Sequence, residues 1–491
     1  MTDNTPIALS LISHTNAGKT TLARTLLARD VGEVRDAPHV TTEAASYSLV
    51  ETPDGDALIL WDTPGFGDSA RLAQRLRQQG NPIGWFLSQV WDRFRDRPFW
   101  LTQKAVRNVR DRADVVLYLV NASEEPGDAG YLASELAVLE WMGKPVIVLL
   151  NQIGPPRAHA DELADETRWR DALIKWTQVR ELLTFDAFAR CWVQEFTLFG
   201  AVARVLSDSR RPAFDRLVAA WKARRMAQFA DSMAALTMPI ARAACDGVAL
   251  PAGWRNTKLG KSLGLARLDG ADPEERAVAE MSSRLDADLR ASTDQLITIH
   301  GLDGRAASEV RARLASDVRT DAPLDESTAA VMGGVVTGAL SGLATDLAAG
   351  GLTLGTGLLA GAVLGALGGA GVARGVNVAR GRTEAAMRWD DTFLEELVVS
   401  SLLRYLAVAH YGRGRGEWQE REYPSFWRTR VAKAVAAQQP ALAAIWALRT
   451  VDGDRNLIEL RLLDLVGKIA RTLLDELYPG ALGDLVHSRP R

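Results

Sequence analysis

The chain is 491 residues long, more than one hydrophobic core holds, so two or three domains are expected. Lys and Arg number 58 against 61 Asp and Glu, and the resulting charge of −3 excludes the basic footprint of a general nucleic-acid binder. Two cysteines, Cys191 and Cys245, exclude a disulfide framework and fit a reducing, cytoplasmic compartment. The short polar start, Met1 to Pro6, carries no signal-peptide pattern and runs straight into the first apolar segment.

That segment, Ile7 to Ile12, reads as a buried strand, and Thr21 to Leu27 reads as a helix. Between them lies Ser13-His14-Thr15-Asn16-Ala17-Gly18-Lys19-Thr20. Strand, tight loop and helix form the setting of a phosphate-binding P-loop. Backbone N–H groups at a helix N-terminus cradle phosphates, Lys19 would reach the β- and γ-phosphates, and Thr20 would hold Mg²⁺. Ser13 stands where such a loop usually has its first glycine. Taken alone, the stretch also reads as a strand followed by an ordinary capped helix.

A second motif follows in the right context. Ser46 to Val50 alternates polar and apolar residues, Pro53-Asp54-Gly55 is a turn signal, and Ala57 to Trp61 reads as a buried strand ending in Asp62-Thr63-Pro64-Gly65. Such a hairpin puts a carboxylate beside the P-loop. Asp62 would hold Mg²⁺ through water, and the Gly65 N–H would sense the γ-phosphate. The other reading of Asp62 is a turn-starting Asx residue.

Asp68 to Asp114 is a long insert in which Trp85, Phe86, Trp91, Phe94, Phe99 and Trp100 stand among arginines. It reads either as a switch-coupled docking surface that could touch RNA or anionic lipid, or as an arginine-clad helix packing its aromatics inward. Two strands follow, at Val115–Val120 and Val146–Leu150, with helical patterns at about 129–142 and 160–180. Asn151-Gln152-Ile153-Gly154 begins where the second strand ends. The alternation predicts an α/β fold, a doubly wound, mostly parallel sheet with its ligand at the carboxyl ends of the strands.

From about residue 206 the pattern is helical, notably over Asp272–His300 and Ala306–Asp317, with a connector at 247–272. Uncharged runs span Ser327–Thr345 and Leu347–Ala373, interrupted by Asp346. Gly334, Gly338 and Gly342, then Gly357, Gly361, Gly365 and Gly369, recur every fourth residue, and Gly350-Gly351 is a turn. This predicts a glycine-rich helical hairpin whose backbones approach closely. Eighteen helical residues reach about 27 Å, near the ~30 Å of a hydrocarbon core. The hairpin therefore reads either as membrane-inserted, with Arg374, Arg380 and Arg382 facing an anionic inner leaflet, or as the core of a soluble helical domain. Helical patterns resume at Phe393–Val408, Arg428–Gln438 and Leu457–Leu477. The domain reading is 1–205, 206–326, 327–382 and 383–491: a nucleotide domain, a helical linker or effector region, the glycine-zipper hairpin and a C-terminal helical region.

Asn16-Ala17-Gly18-Lys19-Thr20, Asp62-Thr63-Pro64-Gly65 and Asn151-Gln152 resemble the TrmE–Era-like branch of translation-factor-related GTPases. The whole chain is similar to a bacterial family in which an Era-like GTPase domain precedes a glycine-rich domain of unknown function. The resemblance implies a Ras-like P-loop NTPase fold followed by an all-α region. It also implies a nucleotide site of Ser13, His14, Thr15, Asn16, Ala17, Gly18, Lys19, Thr20, Thr21, Gly65, Asn151, Gln152 and Asp186. Lys19 and Asn16 would carry catalysis, Asn16 by holding a K⁺ ion that stabilises transition-state charge. Thr41 or Thr42 would complete the Mg²⁺ shell begun by Thr20 and Asp62.

Three departures matter. Phe66 stands where other GTPases carry a water-orienting glutamine. Gln152 and Gly154 replace the lysine and aspartate of the base-reading motif Asn-Lys-x-Asp. Asp186 either supplies the missing acceptor or caps the next helix. The function implied is a GTPase, slow without a partner or cation, that couples nucleotide state to a helical and membrane-associated effector. The alternatives are a non-hydrolysing scaffold and an ATP-binding protein. The partners implied are GTP, inner-membrane lipid or a membrane protein through residues 327–373, and a second copy of the chain; no nucleic acid is expected. The place implied is the cytoplasm, with peripheral or hairpin-inserted contact at the inner membrane.

Overall fold

The computed structural model describes residues 6–14, 17–27, 45–63, 65–66, 69–77, 97–151, 159–185, 191–251, 273–302, 376–380, 385–410, 425–449 and 454–481. The glycine-rich segment 327–373 and the predicted helix Ala306–Asp317 lie outside the described residues, as does the aromatic part of the insert from Trp85 to Phe94. The chain divides into two compact units, and the division falls between Ala227 and Gln228.

The first unit is a six-stranded sheet in the order β2-β3-β1-β4-β5-β6. Its strands are β1 (Ile7–Ser13), β2 (Ala45–Glu51), β3 (Ala57–Asp62), β4 (Val115–Asn121), β5 (Val146–Asn151) and β6 (Val179–Thr184). All neighbours pair in parallel except β2, which runs antiparallel to β3. This is the doubly wound, mostly parallel sheet that the alternating pattern predicts. β1 and β5 are buried along their whole length, which is why they read as largely apolar runs, broken in β1 only by its serines, rather than alternating ones. The β2–β3 hairpin closes through Pro53-Asp54-Gly55. Gly55 N–H bonds to Thr52 C=O at 3.0 Å, Thr52 N–H bonds to Asp56 C=O at 3.0 Å, and Gly55 takes φ 87°, a conformation only glycine adopts without strain.

Among the described residues, seven helices flank or follow the strands: α1 (Lys19–Leu27), α2 (Ser69–Arg77), α3 (Arg97–Arg112), α4 (Leu132–Met142), α5 (His159–Leu173), α6 (Gln194–Val205) and α7 (Arg211–Cys245). Side chains alternate across the sheet and build two cores. Leu9, Leu11, Leu58, Leu60, Leu117 and Leu149 pack with α1, α6 and the first half of α7. Ile12, Val116, Tyr118, Val148 and Leu150 pack with α2 to α5. The helical pattern at 160–180 overruns: α5 ends at Leu173, and Val179 onward is claimed by pairing with β5. In the insert, Phe99 is buried under Arg71, whose guanidinium lies 4.0 Å from the ring centre, so this aromatic packs inward.

The second unit is helical, as expected, but also holds a three-stranded antiparallel sheet in the order β7-β9-β8. The strands are β7 (Val248–Ala249), β8 (Val376–Arg380) and β9 (Ala385–Trp389). The sequence reading has helices alone here, and this small sheet is an addition to a region that is otherwise helical. The strands are two to five residues long, too short for periodicity to reveal. Gly247 fits beside them because an added Cβ would lie 3.2 Å from the Met387 carbonyl.

The helices of this unit are the end of α7 with α8 (Pro273–Ile299), α9 (Asp391–Ala409), α10 (Ser425–Ala436), α11 (Gln439–Trp446) and α12 (Arg455–Leu477). α9 is buried nearly all round, the mark of a central helix. Its buried Arg404 donates to Leu289 C=O and Thr293 Oγ1, each at 3.0 Å. Pro239 inside α7 has no N–H to give the carbonyl of Ala235, and the Ser292 hydroxyl donates to that carbonyl at 2.7 Å instead. Among the described residues no helix is long and apolar enough to cross a membrane.

Candidate functional site

The carboxyl ends of β1, β3 and β5 converge, and each carries a polar residue that the sequence marks. β1 ends in Ser13, and α1 opens with Lys19, Thr20 and Thr21, all three buried. The turn between them needs Gly18, whose φ is 90°. Lys19 Nζ donates to Ser13 Oγ at 2.9 Å, so the serine that replaces the usual glycine gives the lysine a hydroxyl to rest on. Ser13 in turn donates to His14 C=O.

β3 delivers Asp62 to the same place. Thr20 Oγ1 donates to Asp62 Oδ2 at 2.8 Å, while Asp62 Oδ1 is buried with no hydrogen-bond partner. Burial pushes the Asp62 carboxyl above its usual range, against the pull of Lys19 and the Thr20 bond. Burial pushes the Lys19 ammonium down, against the pull of Asp62 and Glu135. A lone carboxylate oxygen beside a threonine hydroxyl fits a hard divalent cation. The residues present therefore suit Mg²⁺.

Gly65 lies against the loop. A Cβ built on it would stand 3.0 Å from Lys19 Nζ and 3.3 Å from Ser13 C=O, so a side chain here would have to push the lysine and the loop backbone outward. The next residue, Phe66, donates its N–H to Ser13 C=O at 3.2 Å, and its backbone bridges to His14. Its ring is buried in the core with Ile12, Leu72 and Phe99. β5 ends in Asn151, whose amide donates to Ala17 C=O at 2.7 Å and braces the loop from the far side. Thr15, Asn16, Thr41, Thr42, Gln152 and Asp186 lie outside the described residues.

One group at this site is absent from the sequence reading. Glu135 in the first turn of α4 is fully buried. Its Oε1 lies 2.7 Å from His14 Nδ1, and its Oε2 accepts from Tyr118 OH at 2.7 Å. The His14 ring stacks on Tyr131, with centres 4.0 Å apart and planes 11° from parallel. A signal did exist: Leu132, Glu135, Leu136 and Leu139 share one helical face, and the glutamate interrupts an apolar stripe.

Fold and loop together define a P-loop nucleotide-binding domain, and comparison with known proteins shows its likeness to GTPases. A sequence family described as 50S ribosome-binding GTPase matches residues 9–152. GTPase Era of Heliobacterium modesticaldum is 26% identical over 145 residues, covering 30% of this chain and 39% of that protein. GTPase Der of Myxococcus xanthus is 28% identical over 163 residues, covering 32% and 28%. The chain thus spans well under half the length of these curated relatives. Among solved structures, Era from Aquifex aeolicus covers 42% of this chain and 58% of its own at 18% identity, with a TM-score of 0.30. A second family, the domain of unknown function DUF3482, matches residues 171–448, more than half of the chain. The protein belongs to that family, and carries a GTP-binding domain of the Era-like GTPase class ahead of it.

Proposed function

We propose that this protein hydrolyses GTP with Mg²⁺ at the loop between β1 and α1 and passes its nucleotide state to the helical second unit. The observation that carries the reading is the buried Lys19, Thr20 and Asp62 cluster, in which one carboxylate oxygen is left without a partner. Thr20 and Asp62, with Thr41 or Thr42, would hold the ion, which supplies neutralisation of charge on the β- and γ-phosphate oxygens. Lys19 exchanges its bond to the Ser13 hydroxyl for the phosphates. The Gly65 N–H reports the γ-phosphate, and Asn16 would hold a K⁺ ion, which would supply stabilisation of transition-state charge. Asn151 keeps the loop in shape throughout.

Coupling is supported by where α7 docks. Arg216 donates to Asp56 from Nε at 2.7 Å and from a terminal nitrogen at 3.0 Å, gripping the β2–β3 hairpin. That hairpin lies in sequence between Thr41-Thr42 and Gly65, the segments proposed to respond to the γ-phosphate. The same helix runs on past Ala227, where the first unit ends. A partner for the glycine-rich residues 327–373, either inner-membrane lipid or a membrane protein, belongs to this reading. Recovery of the full chain wholly in the high-speed supernatant of a cell lysate overturns that part.

A second reading is favoured by Phe66. Its buried ring offers no group to orient water, which suits a scaffold that binds nucleotide without cleaving it. Phosphate release by the purified full chain, in K⁺ and in Na⁺ buffers with Mg²⁺, separates the two. Release above a Lys19→Ala control, faster in K⁺, supports hydrolysis; no release above that control removes it. Competition between GTP and ATP tests the base, since Gly154 offers no carboxylate to guanine.

A further inference from the structure

Glu135 is a costly residue for its position. It sits on the core-facing stripe of α4 between leucines, where an apolar side chain would pack without desolvating a charge. Both of its oxygens are engaged, yet neither by a permanent cation. One meets His14 Nδ1 and the other Tyr118 OH. Tyr118 is anchored in β4, so Glu135 joins the rigid sheet and α4 to a single residue of the P-loop.

The held residue is placed to matter at one end of the nucleotide. His14 directly follows β1, and its backbone bridges to Phe66, the neighbour of Gly65. Gly65 packs against the Lys19 ammonium. The opposite end of the loop, at Ala17, is fixed separately by Asn151. A tie on His14 therefore bears on the part of the loop facing the γ-phosphate, and leaves the part at the start of α1 to its own brace. Stacking on Tyr131 fixes the plane of the imidazole, so the loop is held in orientation as well as in position.

From this geometry we propose that Glu135 and His14 are positioning residues that set the preference of the site for a nucleoside triphosphate over a diphosphate. The proposal rests on the nucleotide-binding reading above and concerns which phosphates the loop is shaped for. Glu135 acts through His14, and His14 through the backbone it shares with Ser13 and the bridge to Phe66.

The test is equilibrium binding of GDP and of a non-hydrolysable GTP analogue to the full chain with Mg²⁺, read as the ratio of the two affinities, beside a thermal midpoint. Glu135→Leu is made together with Tyr118→Phe, so that no buried hydroxyl is stranded. The expected result is a midpoint no lower than that of the unaltered protein, GDP affinity within threefold, and a triphosphate-to-diphosphate ratio that falls about tenfold. His14→Ala is expected to lower the ratio similarly. His14→Asn, whose amide nitrogen replaces Nδ1, is expected to recover most of it.

An unchanged ratio in both the double variant and His14→Ala overturns the proposal. So does a parallel loss of GDP and analogue binding, which would mark a loop that has merely collapsed. If the double variant does not fold, the His14→Ala and His14→Asn pair decides alone. An unaltered protein that binds neither nucleotide, and matches a Lys19→Ala control, overturns the nucleotide reading and this proposal with it. Binding that is normal while the ratio ignores Glu135 and His14 overturns the proposal only.

Discussion

Among the described residues of the first unit two glutamates are fully buried, and both lie in the first turn of a helix, where the positive end of the helix dipole favours a carboxylate. Their surroundings differ. Glu195 in α6 meets Arg225 of α7 in a two-pronged bond, at 2.8 and 2.6 Å, and accepts from Trp221 Nε1 at 2.5 Å. Its charge is answered by a permanent guanidinium that is itself buried, and the result is a closed knot between two helices. Glu135 is answered by an imidazole and a phenol, while burial pushes its carboxyl above the usual range. A buried carboxylate matched by a guanidinium is structure. One matched by an imidazole and a phenol beside a phosphate loop has its interaction directed at that loop.

The comparison is sharpest where the knot is cut. Glu195→Ala removes the carboxylate from a buried guanidinium and should cost about 3–5 kcal/mol. It should appear as a large fall in the denaturant midpoint of the full chain, with the nucleotide affinity ratio of the folded protein unchanged. A stability loss under 1 kcal/mol, or a shifted ratio, would erase the distinction between the two glutamates. Lys19→Ala is the opposite case. It should leave the midpoint nearly intact and lower phosphate release by about 10²–10³-fold, the scale expected when one charged donor to a developing oxyanion is removed. Equal rates in both proteins would place the reaction elsewhere.

Much of this site was legible because its signals lie at the ends of strong elements. Largely apolar runs marked β1, β4 and β5. The residues that follow them in the chain, or close β3, gave Ser13, Lys19, Asp62 and Asn151. Pro53-Asp54-Gly55 announced its own hairpin. Glu135 shows in the sequence only as a break in an apolar stripe; its role is defined by His14, 121 residues away in sequence, and only the folded sheet brings the two together. The same holds for β7 and β9, whose pairing joins Val248 to Met387. Five residues of alternation around Met387 and Trp389 carry too little pattern to outweigh the helical segments beside them. Pro239 could be read as a break in α7, but the chain gives no sign that the Ser292 hydroxyl, far along in sequence, supplies the missing bond.

A gentler cut tests the Glu135 side of the comparison. Tyr118→Phe leaves Glu135 Oε2 buried without its donor, and should cost about 1–3 kcal/mol while keeping the His14 contact. A loss as large as that of Glu195→Ala would mean that the phenol, like the guanidinium of Arg225, carries the fold. The expected order of stability is therefore wild type, Tyr118→Phe, then Glu195→Ala, read from one denaturant series at a single pH.

The smallest effect belongs to a third carboxylate, which has a guanidinium partner but an exposed one. The Asp56 side chain is 4% exposed, while Arg216, which grips it, is 42% exposed. The Arg216 hydrogen bond holds the Asp56 carboxyl below its ordinary value. A carboxyl lowered in the folded state binds its proton more readily when unfolded. Its contribution is complete above the ordinary carboxylate range, declines as the pH falls through that range, and is gone below the lowered folded value. The full chain should therefore lose more stability than Asp56→Asn as the pH is taken from about 5 to 3, and the two should converge at the acid end. Because water and salt reach Arg216, the gap should shrink at high ionic strength, as the buried Glu195 pair should not. Parallel stability curves for the two proteins across that range would show that the exposed guanidinium contributes nothing. The grip of α7 on the β2–β3 hairpin would then rest on the core that Leu49, Leu58 and Leu60 share with Phe214, Leu217 and Trp221, and on the Arg224 bond to the Leu49 carbonyl.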